Sequence, residues 1–433
     1  MNIMTDNKVL FTKEMQKDYT ILIPMMAPIH FQLLRNVLVH SRYNVELLEN
    51  TGPSVVEQGL KYVHNDTCYP ALLVIGQMID ALKSGKYDVH KTALIITQTG
   101  GGCRASNYIY LLRKALKKAD LGFVPVISLN LSGLDSQPGF KLSLSMLQKM
   151  LCALVYGDLL MDLTNQVRPY EVASGTADQL CQHWIDDLSR QFDHRQGLSI
   201  GDMKRNMRDI VMSYAAIERQ KRDLVKVGIV GEIYIKYSPL GNNSLEKFLA
   251  EQQCEVKLPG MMGFMLYCVY NGVEDVKLYG GGFVKKQLMS FVYSLVLKLE
   301  KMTIDAIRTY SDFDVPGSFP EMKAGAEQII GLGAKMGEGW LLTGEMVELN
   351  KSGFKNIICT QPFGCLPNHI VGKGMIRKIR EQDPDCNIVA IDYDPSATQV
   401  NQENRIKLML SIARENMKKA ETDTASMPVP QAE

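Results

Sequence analysis

The sequence lacks a strong excess of either charge, and it lacks an unbroken apolar run long enough to cross a membrane. Lys and Arg number 48 and Asp and Glu number 47 among 433 residues. Because so small a net charge supplies no long-range field, we expect neither nucleic acid nor an anionic membrane as a partner. Lys, Asp or Gly breaks the longest apolar runs, and no apolar run follows a basic segment near the start. We therefore expect no bilayer span and no secretory leader.

Cysteine is sparse, with nine residues and no C-x-x-C pair. This pattern excludes the dense disulfide framework of a small secreted domain and disfavours an ordinary zinc ribbon. We expect a cytoplasmic location, where free thiols suit metals or redox chemistry better than disulfides. A P-loop, the H-E-x-x-H zinc motif and the G-x-S-x-G nucleophile motif are also missing, which removes three common classes of enzyme.

What is present is ordinary globular composition, with 46% apolar residues, and a repeated alternation of strand-like and helix-like segments. Alternation of this kind favours an α/β fold with parallel sheets. We expect two doubly wound sheets, similar to Rossmann or flavodoxin folds, with a helical insert between them. The predicted divisions are a flexible arm (1–19), a first α/β domain (20–141), a helical segment (142–222), a second α/β domain (223–420) and a disordered tail (421–433).

The periodicity and the turn residues also predict individual elements. Helices are expected over Pro28–His40, 54–64, 71–84, Ser106–Ala119, Ser244–Gln252, 284–310, 336–351 and Gln399–Lys419. Strands are expected over Tyr19–Pro24, Tyr43–Leu48, Ala93–Thr97, Phe123–Asn130, Lys226–Tyr237, Cys254–Leu258, Asn356–Thr360 and Asn387–Asp392.

Cys68 is the first candidate for chemistry, because it stands between two helical stretches, just before the Pro70 that suits a helix start. The dipole at a helix N-terminus favours the thiolate, so we expect a lowered pKa and a ligand or nucleophile. A buried structural cysteine is the equal alternative at this position.

Cys103 is the second candidate, in a turn that follows a strand and opens a helix. The preceding Gly100, Gly101 and Gly102 let backbone N–H groups converge on an anion, and they are the predicted cofactor-binding residues. The same turn matches the dinucleotide fingerprint, but the next strand ends in Ser-Leu-Asn without the acid that binds ribose. Nucleotide binding is therefore the second interpretation, and a tight turn without a ligand is the third.

Cys365 is the third candidate, in a loop rich in Pro and Gly that follows a strand. Cys359 lies within that strand and is a further candidate ligand, with a core position as its alternative. Cys68, Cys103 and Cys365 all lie at element ends, where doubly wound sheets build their sites. Soft thiolates brought together suit an iron–sulfur cluster or zinc.

One carboxylate and five further cysteines complete the set of candidate residues. Glu338 is flanked by glycines and is the single catalytic candidate, with a helix kink as its alternative. We expect the remaining cysteines to be packing residues: Cys152, Cys181, Cys254, Cys268 and Cys386.

Five segments together resemble a known family: NDTCYP, TQTGGGCRASNY, VGEIYIKYSP, QPFGCLPNH and IDYDPSATQVNQENRIKLML. They are similar to the C-terminal region of acyl-CoA dehydratase activase-related proteins. That region is itself similar to the D-component of 2-hydroxyacyl-CoA dehydratases and, more distantly, to benzoyl-CoA reductase subunits and double-cubane-cluster proteins. The resemblance runs from about Tyr19 to Ala420.

The resemblance implies an oxygen-sensitive [4Fe–4S] cluster held by Cys68, Cys103 and Cys365, with Cys359 as an extra ligand in one version. It also implies a separate ATPase activator with its own iron–sulfur cluster, an acyl-CoA-like or other small substrate, and a homo- or hetero-oligomer. The leading hypothesis is a reductively activated lyase or oxidoreductase of anaerobic metabolism. The alternative is a non-catalytic electron relay or scaffold for such a system.

Overall fold

Two four-stranded parallel sheets organise the chain, as the alternation predicts. The computed structural model describes residues 8–64, 66–98, 102–130 and 137–426. The first sheet has the order β2-β1-β3-β4 and the second the order β6-β5-β7-β8. The strands are β1 (Thr20–Pro24), β2 (Asn44–Leu48), β3 (Thr92–Thr97), β4 (Val126–Leu129), β5 (Val225–Gly231), β6 (Cys254–Lys257), β7 (Asn356–Pro362) and β8 (Asn387–Tyr393).

The helices of the first unit connect its strands and cover its sheet. They are α1 (Met15–Asp18), α2 (Pro28–His40), α3 (Pro53–Tyr62), α4 (Tyr69–Lys83) and α5 (Tyr108–Lys118), and a 3-10 turn over Arg104–Asn107 leads into α5. Helix α4 is apolar on every side, and 13 of its 15 residues are buried. One apolar cluster joins Leu72 and Ile75 of this helix to Ile229 and Ile391 of the second sheet. The two units therefore share a core, with α4 between them.

Three helices form the predicted insert: α6 (Leu144–Val167), α7 (Thr176–Asp193) and α8 (Ile200–Ala215). Their buried faces pack with the outer face of the first sheet, where Ile21 and Ile127 lie in one cluster with Leu159 and Ile210. By length and composition α6 could cross a membrane, although no such run was expected, and half of its apolar window is buried inside the protein. Burial of this kind is also typical of a core helix in a soluble protein.

The second unit carries the remaining helices. They are α9 (Ile233–Tyr237), α10 (Pro239–Asn242), α11 (Leu245–Glu251), α12 (Met261–Tyr279), α13 (Phe283–Tyr310), α14 (Phe319–Glu327), α15 (Trp340–Lys351), α16 (Leu366–Val371), α17 (Ile376–Gln382) and α18 (Gln399–Ser426). Strand β7 is central in this sheet, and its Cys359 is in register with Val230 on one side and Ala390 on the other.

The termini differ from the expected arm and tail. Phe11 lies inside the predicted arm, yet it is fully buried, its N–H donates to Gln137 Oε1 at 2.8 Å, and its carbonyl accepts from Gly139. The segment is therefore anchored by an aromatic side chain and by backbone hydrogen bonds. Helix α18 continues to Ser426, seven residues beyond the predicted end at Lys419. Residues 1–7 and 427–433 lie outside the described residues.

One internal prediction was wrong, and some helices of the second unit were not predicted. The expected strand Lys226–Tyr237 ends at Gly231, and its second half is helix α9, because the Glu232 side chain accepts a hydrogen bond from Ile235 N–H and caps a helix there. Aromatic and β-branched residues in this stretch have the composition of a strand, but the local cap decides otherwise. Helix α12 was not predicted, and its 19 residues pair with α13 as a long helical hairpin.

Candidate functional site

Each of the three predicted ligands stands immediately before a helix. Cys68 precedes α4, Cys103 precedes the 3-10 turn that leads into α5, and Cys365 precedes α16. All three have extended backbone at the N-cap position, so the free N–H groups of the first helical turn follow each thiol. Cys68 and Cys365 are buried, and Cys103 is half-buried.

Cys365 is brought to Cys68 by a close backbone approach between the two units. Tyr69 N–H donates to the carbonyl of Phe363 at 2.9 Å. Gly364 has φ of +73°, and a Cβ placed on it would lie 3.0 Å from Cα of Cys68. Glycine is therefore required here for two reasons, the left-handed backbone and the contact with the other unit.

Cys103 joins the same region through helix α5 and through the loop before α15. Tyr108 begins α5, and its hydroxyl lies 2.9 Å from Cys68 Sγ. Gly102 packs so closely on Met336 that a Cβ at this position would overlap the Met336 sulfur. The turn that carries Cys103 is thus held between Cys68 on one side and the loop of Glu338 on the other.

Two buried carboxyls face the thiols. Glu338 Oε1 accepts from Ile233 N–H at 3.0 Å, and Glu232 Oε2 accepts from Ile235 N–H at 2.9 Å, so both lie over the start of α9. Burial, reinforced by the charge of Glu338, raises the pKa of Glu232 to about 8. Burial also raises the pKa of Glu338. The region therefore offers two carboxyls that favour their protonated form.

The pKa of Cys68 changes in the opposite direction to the sequence prediction. Burial raises the pKa of Cys68 to about 11, and the charge of Glu232 adds to this increase. The hydrogen bond with Tyr108 lowers the pKa but is the smaller effect. Burial also raises the pKa values of Cys103 and Cys365, and both Glu232 and Glu338 add to the effect. The expected lowering by helix dipoles was wrong because removal from water and the two carboxylates outweigh it.

Glu232 contributes to the raised pKa of Cys68, Cys103 and Cys365, so the three thiols have one carboxyl in common among their surroundings. Among the described residues, no three His, Cys, Asp or Glu side chains are arranged to hold a single metal ion. A four-iron cluster is much larger than one ion, so its thiolate ligands lie further apart than the ligands of zinc. Three soft sulfurs with hydrogen-bond donors close by fit such a cluster in donor chemistry.

The other predicted site residues have different outcomes. Cys359 is fully buried in β7, and its Sγ lies 3.7 Å from Asn368 Oδ1 within a separate apolar cluster of the second unit. Among the described residues, Cys359 contacts Asn368 in this way and none of the three cysteines above. Gly102 packs against Met336, whereas Gly100 and Gly101 lie outside the described residues.

The cysteines predicted to be packing residues are buried, except one. Cys152, Cys181, Cys254 and Cys386 lie in the core, and Cys268 on α12 is exposed. Glu232 is the residue that sequence analysis missed, because the interpretation of Lys226–Tyr237 as one strand left it inside an element. Its place directly after a buried strand was the available signal, since sites in such folds form where strands end.

No protein-family model matches this chain, and no curated protein matches it either. The arrangement of residues is therefore the basis for a functional assignment.

Proposed function

We propose that this protein is a cytoplasmic iron–sulfur redox component, similar to the subunits of 2-hydroxyacyl-CoA dehydratases and belonging with the activase-related branch that its motifs resemble. Cys68, Cys103 and Cys365 would hold the cluster. The observation that carries the proposal is that three thiols from two units occupy helix N-cap positions, and that Glu232 is among the charges that raise the pKa of each.

The bound cluster would supply a low-potential electron and an iron with an exchangeable position. The protein's own residues would supply the surroundings. Tyr108 is placed to donate to the Cys68 sulfur, which lowers the electron density on that ligand. Glu232 favours its protonated form near neutral pH and can hold a proton beside the site.

The resemblance supplies the partners in this proposal. An ATP-dependent activator, itself an iron–sulfur protein, would deliver the electron, and an acyl-CoA-like or other small substrate would receive it. Electron transfer without chemistry on a substrate is the relay version of the same assignment. The two versions differ in whether the reduced cluster responds to an acyl-CoA thioester.

The first test is anaerobic purification with iron and acid-labile sulfide analysis of the wild type and of Cys68→Ala, Cys103→Ala and Cys365→Ala. We expect about four irons per chain in the wild type and loss of most of the iron in each variant. Cys152→Ala is the matched control, because that buried thiol lies in the helical insert, and it should keep its iron. Equal iron in all five proteins, or zinc without sulfide, would overturn the assignment.

The second test separates the enzyme from the relay. The cluster is reduced by dithionite and titrated with an acyl-CoA while its EPR spectrum is recorded. A change in the spectrum supports a substrate at the cluster. A spectrum unchanged by every acyl-CoA tested supports the relay.

A further inference from the structure

The helical hairpin of α12 and α13 carries a largely exposed apolar surface, whose α12 members, Leu278 and Tyr279, border the loop at Gly333 and Lys335. Its members are all large, and between 45% and 79% of each is exposed: Leu278, Tyr279, Phe283, Val284, Leu288, Phe291 and Leu295. We name these seven residues the hairpin patch. Scattered exposed apolar residues are normal in soluble proteins, but a contiguous group of this size marks an interaction surface.

The hairpin patch lies at the end of α12 and in the first half of α13. From Val296 onward one face of α13 is buried, with Val296, Leu299 and Ile307 in the core. In the first half, one face packs on α12, where Met289 contacts Gly272 and the ring of Tyr293 lies against Tyr270. The members of the hairpin patch from Val284 to Leu295 occupy the opposite face of α13, so α12 does not cover them.

The spacing within the patch specifies the kind of partner. Val284, Leu288, Phe291 and Leu295 follow intervals of four, three and four residues. This is the seam pattern of a helix that packs lengthwise on another helix. A flat lipid surface or an extended peptide does not require this spacing, whereas a second helix with the same repeat does.

The size of the patch fits a stable dimer. Three of its members are aromatic, each about 70% exposed, and together they present roughly 400 Å². With the four aliphatic side chains, the patch approaches the ~800 Å² that each partner contributes to a standard interface. A surface of this size exceeds what a monomer usually leaves in water.

The charges around the patch favour an antiparallel copy of the same helix. Lys285, Lys286 and Lys298 are exposed, and no acid occurs between Gly280 and Lys298. In an antiparallel pair centred between Leu288 and Phe291, each lysine lies opposite an uncharged residue of the other chain. A parallel pair would instead place equivalent lysines beside each other.

We infer that the hairpin patch binds a second copy of this chain, with the two α13 helices antiparallel about a twofold axis near Leu288 and Phe291. Each chain would then present the same residues to the other, as a twofold interface requires. The two hairpins would form a four-helix arrangement at the interface. This inference does not depend on the thiol site or on the proposed function.

The test is sedimentation velocity of the full chain at micromolar concentration. We expect the wild type to sediment at twice the mass of the 48.5 kDa chain and Leu288→Glu to sediment as a monomer with an unchanged circular dichroism spectrum. Leu408→Glu is the matched control, since Leu408 is also an exposed leucine within a long helix, and it should remain a dimer.

A double variant tests the direction of the helices. Leu288→Glu with Phe291→Lys places opposite charges across an antiparallel interface and should restore the dimer, whereas in a parallel pair it places like charges together. A monomeric wild type, or a dimer that Leu288→Glu leaves intact, would overturn the inference. So would a monomeric wild type that binds vesicles of phosphatidylglycerol through the patch, since the occupant would then be a lipid surface.

Discussion

The two sheets of this protein have the same strand order, yet they contribute different chemistry to one region. In each sheet the first and third strands of the unit are neighbours at the centre, and the second and fourth strands lie on the two opposite edges. Cys103 follows the third strand of the first sheet, and Cys365 follows the third strand of the second. These two thiols therefore occupy equivalent places, at the positions where doubly wound sheets bind ligands.

The equivalence extends to the other site residues, but with a change of residue type. Cys68 precedes α4, the last α-helix before the third strand of the first unit, and Glu338 precedes α15, the last α-helix before the third strand of the second. Glu232 follows the first strand of the second unit, where the first unit has Met25. One framework thus provides two thiols from one unit, and one thiol with two carboxyls from the other.

This difference suggests a division of roles between the units. In the proposed function, sulfurs from both units would surround the cluster, so neither unit would hold it alone. The carboxyls come only from the second unit, which makes it the source of protons in the proposed function.

The largest expected effect comes from the contact between the units. Gly364→Ala places a Cβ against the backbone of Cys68 at a left-handed position. We expect it to lower the free energy of unfolding by roughly 3 kcal/mol and to remove most of the bound iron. The measurements are urea unfolding and iron analysis.

Gly353→Ala is the matched control for this prediction. Gly353 also has a left-handed backbone, with φ of +89°, but a Cβ there meets nothing within 4 Å. It should cost only about 1 kcal/mol and should leave the iron content unchanged. If both variants lose the same amount of stability and keep their iron, the approach of Cys365 to Cys68 is not what holds the site together.

A smaller effect is expected from the carboxyl that only the second unit provides. The folded protein raises the pKa of Glu232 from 4.5 to about 8, so folding favours the neutral form. This contribution is fully present below pH 4.5 and is lost as the pH rises through 8. In metal-free protein, the free energy of unfolding of Glu232→Gln should fall less than that of the wild type as the pH rises from 4.5 through 8. We expect the difference to be about 2 kcal/mol or more, because Gln stays neutral and can still cap α9.

The measurement is the free energy of urea unfolding of metal-free wild type and Glu232→Gln across that pH range. Glu415→Gln is the control, because Glu415 is an exposed carboxyl on α18, and it should follow the wild-type curve. Parallel curves for wild type and Glu232→Gln would mean that this carboxyl is not held in its neutral form.

Much of the fold could be predicted because local signals agree with it. Helix α2 begins at Pro28 and ends at His40 as predicted, since a proline at its first turn and the apolar spacing both mark it. The strand order, by contrast, depends on contacts between distant segments. The predicted end of β5 was wrong because the Glu232 cap starts a helix in a segment whose composition is typical of strands.

The candidate site, too, could be predicted only in part from the sequence. Cys68, Cys103 and Cys365 could be selected because thiols are rare in this sequence and stand at element ends. The direction of their pKa shifts could not be predicted, because it follows from burial between two units and from carboxyls distant in sequence. The hairpin patch was also missed, since its apolar residues have the same pattern as buried ones until the fold leaves them uncovered.

The central claim is that three sulfurs from two units surround one inorganic cluster. The most direct measurement is a crystal structure of anaerobically purified protein with anomalous diffraction collected at the iron edge. The account predicts one compact iron peak bounded by the sulfurs of Cys68, Cys103 and Cys365. Iron density elsewhere, or none between these residues in protein that contains iron, would contradict it.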